Sequence, residues 1–247
     1  MKNIFEIIQK VTVNCTNDKS GFIVDDRIKA IRELLSGTKY RFVYDGKLVK
    51  IYGKNKPEGT IKIISSHIDC VKYDRFFAVE NGEYYEGIFD NALTNAFLIK
   101  AMIGDKFRDD VFVAFTGDEE SGFGGVREIV GYATDAGITI SEAIVTDVTF
   151  ENYATCGVSY ENYFNQAEGF KDEMLKKIEI PEAQVSFIKD AWPDEAYEYK
   201  RLGVLTYTLC IPTASMSEDK MDMHTGKGLR VKKTAVDAYY KALVLSV

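Results

Sequence analysis

Apolar residues recur at helical spacing near the start of the chain, from Asn3 to Val11 and again from Val24 to Leu35. In the second stretch Ile23, Ile28, Ile31, Leu34 and Leu35 share one stripe, and Gly37 follows as a C-terminal cap. The period then shortens. β-formers run from Tyr40 to Tyr44 and from Leu48 to Tyr52 on either side of Asp45-Gly46, a hairpin dipeptide. After a polar loop containing Pro57, residues Thr60 to Ser65 read as a buried strand that leads straight into Ser66-His67-Ile68-Asp69. Asn81-Gly82 marks a second hairpin between Phe76 to Val79 and Glu83 to Glu86.

Helical periodicity returns from Ala92 to Ile103, just after Gly87-Ile88-Phe89-Asp90-Asn91. A strand from Val111 to Phe115 breaks into Thr116-Gly117-Asp118-Glu119-Glu120-Ser121-Gly122, and a helix is expected from about Gly125 to Thr134. Glu142 to Thr146 reads as a strand ending at Asp147. The pattern weakens from there to Asp190, with a short helix over Lys171 to Ile178 and a strand over Gln184 to Ile188. Asp194 to Leu202 is helical in pattern, Val204 to Ile211 is a strand stopped by Pro212, and a polar loop from Ala214 to Asp222 leads to Met223-His224-Thr225-Gly226. A helix from about Leu229 to Leu245 closes the chain. From residue 60 onward strands and helices alternate, with connections too long for hairpins. This predicts an α/β fold with a mostly parallel or mixed central sheet and helices on both faces. With no repeat, low-complexity tract or Pro/Gly/Ser linker, residues 1–247 read as a single catalytic domain, with N-terminal helices and hairpin to about 55 and a core from about 60.

Composition narrows the function. A net charge of -7 argues against nucleic acid or an anionic membrane as partner. No apolar run approaches the roughly 20 residues of a membrane helix, and the N-terminal stretch carries Glu6 and Gln9, unlike a signal peptide. Cys15, Cys70, Cys156 and Cys210 are scattered without a CxxC pair, so reduced thiols and a cytoplasmic location are expected.

The chain has only two histidines, His67 and His224, and both fall near predicted strand ends beside carboxylates. Ligands bind at the carboxyl ends of strands in open α/β sheets. Singly, each residue has a plain structural explanation: Asp90 as a helix cap, Asp147 in a turn, Glu119-Glu120 as a solvated turn. Jointly, two imidazoles and several carboxylates at one sheet edge suit divalent metal ions, zinc above all, with cobalt or manganese tolerated. A carboxylate can bridge two such ions, and an unligated neighbour can move the proton of a water.

In their order, His67-Ile68-Asp69, Gly87-Ile88-Phe89-Asp90-Asn91, Asp118-Glu119-Glu120-Ser121-Gly122, Asp147 and His224 resemble the co-catalytic di-zinc exopeptidase superfamily. The stretch Asp194 to Thr213 is similar to the segment before the last histidine in its cytoplasmic glutamyl/leucyl-type aminopeptidases. The resemblance implies one ion on His67 and Asp147, a second on Glu120 and His224, and Asp90 bridging them. It also implies Asp69 orienting His67, Glu119 as general base and acid, and a cis peptide at Asp90-Asn91. Only Cys70 to Phe89 lie between the first motif and the bridging Asp, so the β-domain that the cytoplasmic branch inserts there is missing. Thr225 also stands where that branch has Ser.

The expected activity is therefore that of a zinc aminopeptidase acting on peptides through a water activated between two ions. A carboxypeptidase or N-acyl amino-acid deacylase of the same superfamily is the alternative, and a non-catalytic metal-binding module the alternative outside the enzymes. Tyr160, Tyr163 and Tyr197 are candidate oxyanion donors, Asp194 and Glu151 candidate anchors for a substrate amine, and Trp192 a candidate pocket wall. Oligomeric state is left open.

Overall fold

Neighbouring residues of the central strands enter two separate cores. In the computed structural model, which describes residues 3–14, 26–71, 73–218, 222 and 224–247, Ile63 faces one side of the sheet and Ile64 the other. The same alternation holds for Phe112 against Val113 and for Ala143 against Ile144. This is why these stretches are continuous apolar runs: a sheet covered on both faces leaves no face for polar residues.

Helices Ile4–Val11 (α1), Asp26–Leu35 (α2) and Ala92–Ile103 (α3) pack on one face. Phe170–Ile178 (α5) and Lys233–Ser246 (α7) pack there too, while Gly124–Asp135 (α4) and Glu195–Arg201 (α6) cover the other face. α3 is buried around most of its circumference because α1 and α2 stack on its outer side. α1 is amphipathic and buries Ile4, Ile7, Ile8 and Val11, each such side chain contributing roughly 1.5–3 kcal/mol. The helical residues expected at 23–25, and Cys15, lie outside the described residues.

The main sheet runs Arg41–Asp45 (β1), Val49–Gly53 (β2), Val111–Thr116 (β6), Thr60–His67 (β3), Thr139–Thr149 (β7), Thr206–Pro212 (β10), Val158–Glu161 (β8), Val185–Ile188 (β9). β3 is parallel to β6 and β7, and β7 is parallel to β10. The first hairpin joins the sheet antiparallel through β2 on β6, and β8 is antiparallel to β10, so the sheet is mixed. Ala78–Asn81 (β4) and Tyr84–Gly87 (β5) form the second predicted hairpin. It belongs to a smaller antiparallel sheet with Ala214–Ser215 (β11) and Leu229–Lys232 (β12).

Three expectations are corrected. Residues 229–232 are a strand rather than the first turn of the last helix, because Leu229 and Val231 point inward at period two and pair with β5. β7 continues through Asp147 to Thr149, since β10 still pairs with it there although its pairing with β3 ends at Val145. Cys70 is disulfide-bonded, whereas Cys156 and Cys210 are free thiols; spacing along the chain carries no information on such pairing. No helix among the described residues is long and apolar enough to cross a membrane.

Candidate metal centre

Three parallel strands of the main sheet end close together, and each delivers part of one cluster. β3 ends in His67, which is 3% exposed. β6 ends at Thr116 and the chain turns through Gly117 to Ser121, carrying Glu119 and Glu120. β7 brings Asp147 level with His67, and Asp90 sits at the entry to α3. His224 reaches over from the loop before β12 and is half exposed.

His67 Nε2 lies 3.1 Å from Asp90 Oδ1 and 3.6 Å from Asp147 Oδ1. On the other side of the same carboxylate, His224 Nδ1 lies 3.9 Å from Asp90 Oδ2, and its Nε2 lies 3.8 Å from Glu120 Oε2. Two triads result, His67–Asp90–Asp147 and Asp90–Glu120–His224, each with its ligand atoms within 4.8 Å of one another. They share Asp90 and use different oxygens of it. Glu119 lies beside both and groups with His67 and Glu120 on the same criterion. Asp69 touches the far side of His67, with its backbone oxygen 3.1 Å from Nδ1 and its carboxylate at 3.5 Å. Its other oxygen accepts from the Glu120 amide at 3.3 Å, tying the first motif to the Glu-Glu turn.

A polar lattice holds these ends in register. The Asp90-Asn91 peptide is cis. Asn91 Nδ2 donates to Thr146 O at 2.7 Å, and Asn95 Nδ2 donates to His67 O at 2.9 Å and Asn91 O at 2.8 Å. α3 is thereby fastened to both β3 and β7. Asp118, to which no sequence motif assigns a role, adopts a left-handed φ of 68°, and its carboxylate accepts from Ser121 Oγ at 2.6 Å and Gly124 N at 3.2 Å, shaping the turn into α4.

Electrostatically the cluster lacks positive charge. Burial lifts the Glu119 carboxyl well above its ordinary range, with Asp147 and Asp90 adding to the effect. Burial and Asp90 lift Glu120 to about 7, and burial lifts Asp147. Burial would push His67 down, yet Glu119, Asp147, Asp69 and Asp90 together hold it well above the usual imidazole range. Asp90 moves down in spite of its burial, because His67 faces it. Glu120 Oε1 is buried and accepts no hydrogen bond, and buried Asp90 Oδ1 has only the His67 ring nitrogen, 3.1 Å away. An unpartnered carboxylate oxygen, imidazole nitrogens at the same spot and no Lys or Arg among the described residues lining the cavity fit divalent cations.

The cluster forms one wall of a cavity of about 420 Å³ that continues past Thr149, Phe150, Trp192 and Glu161. Of the other sequence candidates, Glu151, Asp194 and Trp192 line it. The three tyrosines do not. Tyr160 is buried in the core against Ser246, Tyr163 stacks on Phe170, and Tyr197 bonds Asp190 and the Ala191 carbonyl. Their aromatic bodies were needed for packing, and none faces the cluster. Two residues escaped the sequence reading. Tyr73 has its hydroxyl raised by burial and by Asp90 and Glu120 close by. Arg27 is fully buried, donating to Val11 O at 3.0 Å and Ile68 O at 2.9 Å beside the first motif. Its position four residues before Ile31, on the apolar stripe of α2, was the available signal.

No family model matches the chain, and no curated protein matches it. Solved structures do. Pyrococcus horikoshii TET1 peptidase, which can assemble into a tetrahedron or a large octahedral shell, matches with a TM-score of 0.70 at 13% identity, over 99% of this chain and 100% of that one. A TET aminopeptidase from a marine sediment thaumarchaeon gives 0.73 at 11% identity, over 99% and 96%. Aminopeptidase PepT from Bacillus cereus gives 0.69 at 10% identity, over 98% and 96%. The chain has the fold of these aminopeptidases, which is the fold its motif order implied.

Proposed function

We propose that the protein is a metal-dependent aminopeptidase, acting on short peptides as one catalytic unit. His67, Asp90 and Asp147 would hold one divalent cation, and Asp90, Glu120 and His224 a second. Zinc suits the mixed nitrogen and oxygen donors best. The observation that carries the reading is the carboxylate of Asp90, whose two oxygens face two different triads. The fold shared with TET and PepT aminopeptidases supports it. Bound there, two such ions supply Lewis acidity to polarise an amide carbonyl and acidify a water.

The remaining chemistry belongs to the chain. Glu119 stands outside both triads. Its raised proton affinity suits a base that takes the water's proton and hands it to the departing amine. Asp69 keeps the His67 ring turned so that Nε2 points at Asp90 and Asp147. Leu- and Ala-leading dipeptides and their N-acetylated forms, offered to the zinc-loaded protein, test the assignment. Release of the N-terminal residue only when its amine is free is expected. Cleavage that demands an acylated amine or a free C-terminal carboxylate instead would move the protein to the deacylases or carboxypeptidases.

A further inference from the structure

The cavity beside the metal centre is lined by a carboxylate that neither triad uses. Glu161, on β8, is 5% exposed, and its Oε1 is buried without a hydrogen-bond partner. It pairs with Thr208, which in turn pairs with Val145, so it stands two strands from β7 and two residues below the level of Asp147. Two interstrand spacings put its backbone roughly 10 Å across the sheet from that ligand. A buried carboxyl in a sheet ordinarily has its oxygens taken, as its neighbour Asp194 does. Asp194 accepts from Ala196 N at 2.7 Å, Asn162 Nδ2 at 2.9 Å and Thr208 Oγ1 at 2.6 Å. Glu161 has the hydroxyls of Ser159 and Thr149 and the Cys210 thiol around it, and the carboxylates of Asp194 and Glu151 nearby add negative charge rather than a cation to pair with it.

The same cavity is lined by Phe150, Trp192 and Pro193, while Glu151, Asp194 and Asp222 add negative charge to it. A cavity that combines aromatic walls with a buried carboxylate complements a side chain with an alkyl stem and a cationic tip. An α-amine held by Glu161 would be recognised whatever the side chain, giving equal rates for lysyl and norleucyl substrates. The geometry points to a specificity pocket for a basic N-terminal residue, in which Glu161 pairs with the ammonium of lysine or the guanidinium of arginine. The assignment rests on the aminopeptidase reading above and adds the substrate class to it.

Zinc-loaded full-length protein assayed on lysyl, arginyl and norleucyl arylamides tests it, since norleucine keeps the stem and drops the charge. kcat/KM for Lys and Arg should exceed that for norleucine by about tenfold or more, the worth of one hydrogen bond to a charged group. Glu161→Gln should lower that ratio about tenfold, and Glu161→Asp should restore part of it. A wild-type ratio near one, or a ratio that Glu161→Gln leaves unmoved while all three substrates fall together, overturns the pocket and leaves Glu161 a structural carboxyl. Calorimetry of lysinamide and norleucinamide with the Glu119→Gln variant reads the pocket without turnover. Tighter lysinamide binding, lost when Glu161→Gln is added, supports it; equal binding overturns it. Absence of turnover on every substrate contradicts the aminopeptidase reading alone, and the calorimetry still decides the pocket.

Discussion

Glu119 and Glu120 are neighbours in the chain, yet their surroundings differ in the way the two proposed roles require. Glu120 has a buried oxygen without a hydrogen bond and closes a triad with Asp90 and His224, whereas Glu119 lies against both triads. Glu119→Gln should therefore cut kcat by at least about a hundredfold, the scale of lost general-base catalysis, and leave metal content by mass spectrometry unchanged. Retained turnover would remove Glu119 from the mechanism. Asp90→Asn should reduce bound metal from two ions per chain to one or fewer, because a neutral amide bridges two cations poorly. At this scale the sequence was most informative where chemistry restricts residue type. Two histidines and a few carboxylates at strand ends could be picked out, and the structure brings all seven together. Residues whose role depends on position alone stayed hidden. Glu161 resembled any acidic residue until β8 carried it into the cavity, and Arg27 resembled any surface arginine.

The turn from β6 into α4 is the element that sets the site. Asp118 supplies the left-handed residue and the cap, and Gly125 allows α4 to approach the strand end. A Cβ at Gly125 would lie 2.9 Å from Gly117 O and 3.1 Å from Leu48 O, both backbone atoms. Gly125→Ala should thus lower stability by about 1–3 kcal/mol and weaken activity through the displaced turn, checked by thermal melts and kinetics. Unchanged melting and kinetics would mean that the turn yields without cost. Long elements were legible because burial on two faces writes a run of apolar and β-branched residues, as in Val111 to Phe115 and, with two buried threonines, Val204 to Ile211. Two of the four-residue strands were not. Val158–Glu161 is too short to display its period, and Leu229–Lys232 merges with the helix that follows it.

Over the whole molecule, acidic groups gathered within the fold make stability depend on pH and on cations. Burial raises Glu161 and Glu195 from 4.5 to about 7. Between those values the folded chain holds protons that the unfolded chain has released, so stability falls as pH rises. His67, raised as well, acts in the same direction. Glu198 works oppositely: Arg201 and Arg127 lower it to about 2, and its contribution is lost only as pH falls below 4.5. The metal-free protein should therefore melt at a higher temperature near pH 5.5 than at pH 8, and zinc should restore stability most at the higher pH. A melting temperature that rises with pH in the metal-free protein would contradict the burial assigned to these carboxyls.

The central claim is a pair of cations sharing Asp90, and anomalous scattering at the zinc edge from crystals of the zinc-loaded protein tests it most directly. Two peaks are predicted, one beside His67 and Asp147 and one beside Glu120 and His224, with Asp90 between them and Glu119 touching neither. A single peak, or none at Asp90, would contradict the two-metal centre.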